Sequence, residues 1–409
     1  MFATPTAVIG AWLRGVLAIG VLVAAGWLAY RWYEGLPRYA PSPSRLDDSL
    51  SEPATPLSPA ERIMAWRPGL DLTTAMLLGA LGLTGIGLGG RMLLPRLLYP
   101  ADPRGIPKLN GGRQQIVSRS DGSEIFVEVH GLERGPTIIL THGWGMDHHE
   151  WAYLKRAWGD RFRIVVWDLP GIGGSSRPPD RDFSLDRMAA DLRDVIEATR
   201  SDGPAILVGH SIGGMVMLTF CRLHPEWMGS AVSRLVLIDT TYTNPLRTMA
   251  WKKLATVLQK PLIEPLLHLQ IWLSPLVWIM NWASYLNGSA HWSAARTSFA
   301  GTQTRSQLDF VASFQPRHSP AVLARGALGM LRYDASKILS QIRIPTLVLC
   351  GDQDTVTLPE ASEHIDGEVP TASLHKLVPG KHCAHIEHDS DFAGRVGEFC
   401  HIKAASKSA

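Results

Sequence analysis

The sequence predicts an α/β protein: a mostly parallel central sheet flanked by helices, with a helical cap and an N-terminal transmembrane helix hairpin. Three features carry that prediction. Two long, nearly uncharged stretches occupy the first hundred residues. From residue 113 onward, short β-branched runs alternate with helical segments and glycine turns. About a hundred residues that do not read as a single crossover then separate the apolar run ending at Asp239 from the one starting at Thr346. The expected division is a membrane-anchoring region over 1–112, a core over 113–240 and 343–402, and a cap over 241–342.

Composition narrows the class further. A chain of 409 residues that is 45% hydrophobic and 19% charged is neither disordered nor a coiled coil. Its net charge is +3 with no Lys/Arg block, so the footprint of a nucleic-acid binder is missing. Cys221, Cys350, Cys383 and Cys400 stand singly, which argues against a disulfide framework or a cysteine zinc site.

Residues 7–30 carry one charge, Arg14, and residues 72–90 carry none. Each stretch is long enough to cross a hydrocarbon core of ~30 Å at 1.5 Å per helical residue. Trp27, Tyr30, Trp32 and Tyr33 fall where an interfacial aromatic belt belongs, and the glycines of 81–90 permit close helix approach. The alternative for the first stretch is a cleaved secretory signal, with Arg14 as its basic end. The proline- and serine-rich connection over 31–69 reads as an exposed loop. Five basic residues in that loop (Arg31, Arg38, Arg45, Arg62, Arg67) face five beyond the second stretch (Arg91, Arg96, Arg104, Lys108, Arg113), so they carry no orientation signal.

In the core, Gln115 to Arg119, the Asp121-Gly122 turn and Glu124 to Val129 read as a hairpin. Runs beginning at Thr137, Arg163, Ala205, Arg234 and Thr346 are continuously apolar, as strands covered on both faces are. Ligands of such sheets gather beyond the carboxyl ends of the strands. After Val208 comes Gly209-His210-Ser211-Ile212-Gly213-Gly214 and then a helical pattern, a turn that can hold a serine hydroxyl proud of the backbone. Gly-x-Ser-x-Gly alone is a weak signal. It gains weight from two other strand ends. His142-Gly143-Trp144-Gly145 can aim the Trp144 N–H at a forming oxyanion, with Ile212 N–H as second donor. Gly351-Asp352-Gln353-Asp354 is followed by Pro379-Gly380-Lys381-His382, so serine, aspartate and histidine occur in that order.

With the Asp168-Leu-Pro-Gly-Ile-Gly-Gly turn and the late His-x-x-His-x-Glu segment, these motifs make residues 113–402 resemble an α/β-hydrolase fold serine hydrolase. The resemblance implies Ser211 as nucleophile, His382 as general base and acid, Asp354 as orienting carboxylate, and Trp144 and Ile212 as backbone oxyanion donors. Lys381 departs from the glycine common at that position in the family. The resemblance implies no cofactor and no metal, while membrane anchoring and an apolar cap favour a lipophilic carboxylic ester as substrate with membrane lipids as surroundings. Rival acids are Asp352, read as a solvated turn residue, and Asp239, the position some relatives use. His385 and His388 are expected on the surface, since on one helix three and six residues from His382 cannot converge on a metal. His142 is expected to brace the oxyanion loop, with His148 and His149 at the pocket mouth.

The uncharged stretch 265–295 suggests cap helices lining an acyl-sized pocket and reaching the membrane interface, rather than a third span. Two other enzymes of the same triad remain open, a carbon–carbon bond hydrolase and a haloperoxidase-like perhydrolase. From another class, a non-catalytic membrane receptor or scaffold also remains.

Overall fold

A computed structural model of the chain describes residues 5–39, 56–69, 71–102, 105–107, 111–201 and 203–401. Residues 40–55 of the expected proline-rich loop lie outside them, Arg45 included, as do Arg104 and Lys108. The core is one eight-stranded sheet of β1 (Arg113–Ser118), β2 (Glu124–Gly131), β3 (Thr137–Thr141), β4 (Arg163–Trp167), β5 (Ala205–His210), β6 (Val232–Ile238), β7 (Thr346–Gly351) and β8 (Ala372–Leu377). Their spatial order is β1-β2-β4-β3-β5-β6-β7-β8. The pairs β1/β2 and β2/β4 are antiparallel and the rest parallel.

Every residue of β3, β4, β5 and β7 is buried, which explains why their sequences are apolar without alternation. Helices Leu185–Ala198 and Ile212–Leu223 pack on one face, and Asp389–His401 with Ala152–Trp158 lie on the other. Because β3 and β5 are neighbours and run in parallel, the loops after Thr141 and His210 emerge side by side. One strand, β8, escaped the sequence reading. It is an edge strand with mostly half-exposed residues, so Ala-Ser-Leu-His-Lys-Leu has no continuous apolar run to betray it.

Between β6 and β7 the chain forms helices Lys252–Leu258, Glu264–Trp272, Ser274–Leu286, Ser289–Thr297, Arg305–Ser313 and Pro320–Met330. The apolar stretch 265–295 is therefore broken. Pro275 enters the first turn of its helix, where a missing N–H costs nothing, and the axes on either side of Leu273 meet at 94°.

The first two long helices, Pro5–Glu34 and Leu72–Leu98, outrun the expected 7–30 and 72–90. Both are long and apolar enough to cross a membrane. They pack against each other and against the cap helix Ser274–Leu286. The approach depends on small residues. A Cβ on Gly15 would stand 2.5 Å from the Met280 side chain, and one on Gly90 would stand 2.2 Å from the Asn287 carbonyl oxygen. The second obstacle is backbone and cannot rotate away. Gly90→Val is expected to lower stability by about 1–3 kcal/mol, the cost of overpacking a close contact. Thermal unfolding in detergent checks it; an unchanged midpoint would mean the hairpin does not rest on the cap there.

Candidate active site

The turn after β5 is the first element of the site. Ser211 sits at φ 54° and ψ −117°, a conformation a non-glycine residue holds only when its surroundings impose it. Gly213 makes this possible, since a Cβ there would stand 2.3 Å from the Thr141 carbonyl oxygen. The serine is half-buried, at the N-terminus of helix Ile212–Leu223.

The structure brings Ser211, His382 and Asp354 into one hydrogen-bonded chain. His382 Nε2 lies 3.1 Å from Ser211 Oγ, and His382 Nδ1 lies 2.8 Å from Asp354 Oδ2. Asp354 also accepts from the Val356 N–H at 2.7 Å and from the Thr357 hydroxyl at 2.7 Å. A carboxylate facing Nδ1 fixes the tautomer, so that Nδ1–H donates to Asp354 and Nε2 accepts from the serine hydroxyl. Burial holds the His382 pKa below its ordinary 6.5, outweighing the opposite pull of Asp354.

Asp239 and Asp352 occupy different positions. Asp239 is fully buried at φ 43° and accepts from the Gly351 N–H at 2.8 Å. Burial, and then the Asp354 carboxylate, push its pKa well above the usual carboxylate range. Asp352 is not a free turn residue as expected: its carboxylate accepts from the Gly380 N–H at 2.7 Å and ties down the loop that carries His382.

The oxyanion-loop candidates lie beside Ser211. Trp144 lines the cleft beside Ser211, Ile212 follows the serine as the first residue of its helix, and among the described residues neither backbone N–H is spent on another backbone acceptor. The Trp144 indole donates to the Leu323 carbonyl at 2.9 Å, fastening the loop to the cap. His142 accepts from the Leu169 N–H at 3.0 Å and so braces the loop from behind.

Three histidine expectations need correction or refinement. His385 is buried rather than on the surface. Its helix, Ala384–Glu387, is a single turn broken at His388, so the regular-helix argument does not apply. His148 is also buried, with its Nδ1 2.8 Å from Asp168, while His149 is exposed and His388 is half-buried with its Nε2 2.6 Å from the Pro379 carbonyl.

Glu150 was not singled out by the sequence. Its carboxylate accepts from the Gly143 N–H at 2.7 Å, faces His210 Nδ1 at 2.5 Å and His385 Nε2 at 2.9 Å. His210 Nε2 in turn donates to the His382 carbonyl at 2.8 Å. Although burial alone would raise it, the two imidazoles hold Glu150 below the ordinary carboxylate range. Burial, and then His210, push His385 down to about 4. The ligating atoms of Glu150, His210 and His385 lie within 4.8 Å of one another, close enough for a metal. Direct hydrogen-bond contacts to the carboxylate already account for the arrangement. No sequence spacing announces it, because the partners arrive from three separate segments: the loop after β3, the end of β5 and the short helix Ala384–Glu387.

Ser211, His382 and His210 open onto a cleft of about 920 Å³, its mouth included, with mainly apolar walls from the cap: Ala290, Ala294, Val311 and Phe314. Arg14, expected to be the lone charge of a membrane span, lines it as well.

Residues 138–395 match the alpha/beta hydrolase family, and the chain belongs to that family. It is 28% identical over 287 residues to a pimeloyl-[acyl-carrier protein] methyl ester esterase of Methylococcus capsulatus, covering 67% of this chain and 98% of that one. A protein of the same description from Chromobacterium violaceum is 25% identical, over 68% of this chain and 99% of its own. Among solved structures, an esterase from Thermogutta terrifontis superposes with a TM-score of 0.56 at 21% identity, covering 70% of this chain and 98% of that one. A bromoperoxidase from Bacillus anthracis gives 0.58 at 19% identity, over 70% and 99%. Both structures share the fold. The two long apolar helices precede the family match.

Two outcomes follow from this geometry. Because only neutral His382 can accept the serine proton and its pKa is depressed, kcat/KM should hold through neutral pH and fall only below pH 6.5. An acid limb centred above 6.5 would contradict the geometry. Replacing Glu150 by Ala strips the Gly143 N–H and His385 Nε2 of their acceptor and should cost about 3–5 kcal/mol in denaturant unfolding, as loss of one partner of a buried charged pair does.

Proposed function

We propose that this chain is a membrane-anchored serine hydrolase that cleaves a lipophilic carboxylic ester through an acyl-enzyme. The observation that carries the reading is the Ser211–His382–Asp354 chain at 3.1 and 2.8 Å, with the serine on a positive-φ turn. Ser211 Oγ attacks the ester carbonyl carbon while its proton passes to His382 Nε2. The carbonyl oxygen takes up the negative charge between the Trp144 and Ile212 N–H groups. Collapse of that intermediate breaks the ester bond, and His382 returns the proton to the departing alcohol. Water, deprotonated by His382, then releases the acid and restores Ser211.

Two features support the lipophilic and membrane parts of the reading. The hairpin helices meet the length and hydropathy of spans. The cap helices beside them expose Trp272 at 78%, Ile279 at 61% and Trp282 at 45%, a surface suited to the headgroup boundary.

The test uses full-length protein in detergent. A fluorophosphonate should label wild type and not Ser211→Ala, and ester turnover should fall by roughly 10⁴-fold or more in the variant. Across p-nitrophenyl esters, medium or long acyl chains should outrun acetate. Equal labelling of the two proteins would end the serine reading. A preference for acetate would end the lipophilic one.

A further inference from the structure

The cleft beside Ser211 has one feature that simple apolar ester recognition does not use. Arg14 projects into it from the first long helix, outside the family match. Ala11 of the same helix belongs to the main hydrophobic core, and Gly15 lets the helix close on Met280 of the cap, so the segment is seated against the site. Among the described residues lining the cleft, Arg14 is the permanently charged side chain, and no carboxylate is there to balance it. Its Nε is buried without a hydrogen-bond partner, and among the described residues Arg14 forms no ion pair.

An arginine in this setting is costly. It lies in an apolar helix of span length, facing a cleft with mainly apolar walls, where its lost hydration is not repaid by the protein. A guanidinium presents a planar fork of donors that fits carboxylate and phosphate oxygens, and a low-dielectric wall strengthens that attraction.

We infer that Arg14 is an anion-binding residue of the active-site cleft, and that the ester cleaved at Ser211 carries a negatively charged group. The inference rests on the ester-hydrolase reading above and narrows its substrate class to anionic amphiphilic esters. Substrate then bridges the two parts of the chain, with its scissile carbonyl at Ser211 and its anion at a helix that also meets the cap. The anion has two possible sources, a carboxylate on the acyl chain or the phosphate of a lipid headgroup.

The experiment compares wild type, Arg14→Gln, Arg14→Lys and Ser211→Ala in detergent on two esters of equal chain length: p-nitrophenyl hexanoate and the mono-p-nitrophenyl ester of adipic acid. Wild type should favour the adipate. In Arg14→Gln, kcat/KM for the adipate should drop about tenfold more than for the hexanoate, mainly through KM, as loss of a charged hydrogen bond predicts. Arg14→Lys should recover most of that difference by restoring the charge. A parallel arm on mixed micelles of phosphatidylglycerol or phosphatidylcholine separates the sources, since Arg14-dependent preference for the anionic lipid alone identifies the headgroup. Equal losses on charged and neutral substrates in both arms overturn the inference and leave the hydrolase reading standing. Absence of any Ser211-dependent turnover ends that reading, and the inference with it.

Discussion

A single buried carboxylate holds the candidate site in register. Glu150 grips the Gly143 N–H of the oxyanion loop, His210 next to Ser211, and His385 three residues after His382. Each of these loops ends a different part of the sheet or follows it, and parallel strands alone do not fix their relative heights to the fraction of an ångström that proton transfer requires. A buried charge is destabilising unless it is satisfied. Glu150 accepts from the Gly143 N–H and from His385 and faces His210, which extends the connection to the His382 backbone. The same contacts that satisfy the charge therefore constrain the geometry. Gly143 shows the tightness of the arrangement, for a Cβ there would lie 2.5 Å from His210 Nδ1.

Around this polar centre the packing is apolar and comes from two directions. The sheet supplies fully buried strands below, and the cap supplies helix Pro320–Met330, which Trp144 joins by its indole hydrogen bond and by packing its ring over Gly326. The cap is thus attached directly to the loop expected to stabilise the oxyanion. The cap also rests on the first two helices through Gly15 and Gly90. Displacement of the hairpin would be felt at the cleft through this chain of contacts, with no need for a separate hinge.

The parts of the fold legible in the sequence were those that obey a short-range rule. Continuous apolar runs marked β3 to β7, the Asp121-Gly122 turn marked the first hairpin, and uncharged length marked the two long helices. Ser211 and Asp354 were legible because each follows an apolar strand in a motif of fixed spacing, and His382 because it follows them in order within a Pro-Gly-Lys-His loop. The edge strand β8 lacked the burial that makes a strand apolar. Glu150 was invisible because its partners are near it in space and far from it in sequence. His385 was misread because a helix was assumed to run where a single turn breaks at His388. Asp239 shows the same limit in reverse: its position after β6 made it a rival acid on paper, but its carboxyl is turned to the Gly351 N–H, and burial beside Asp354 raises its pKa.

Arg14 joins the two halves of the molecule's physics. Hydropathy treats a lone arginine in an apolar helix as a defect to be tolerated, because composition alone cannot say which way the side chain faces. Snorkelling to the headgroups would let it keep its hydration, and such a residue would be exposed at its polar tip. Here the side chain is half-buried, with its Nε enclosed by protein, and it lines the wall of the cleft that contains Ser211. The helix contributes an apolar face to the hairpin and cap and one charge to the cleft, so the segment that the family match leaves out is also a wall of the site it encloses. A membrane anchor built only for tethering would require the first contribution and gain nothing from the second.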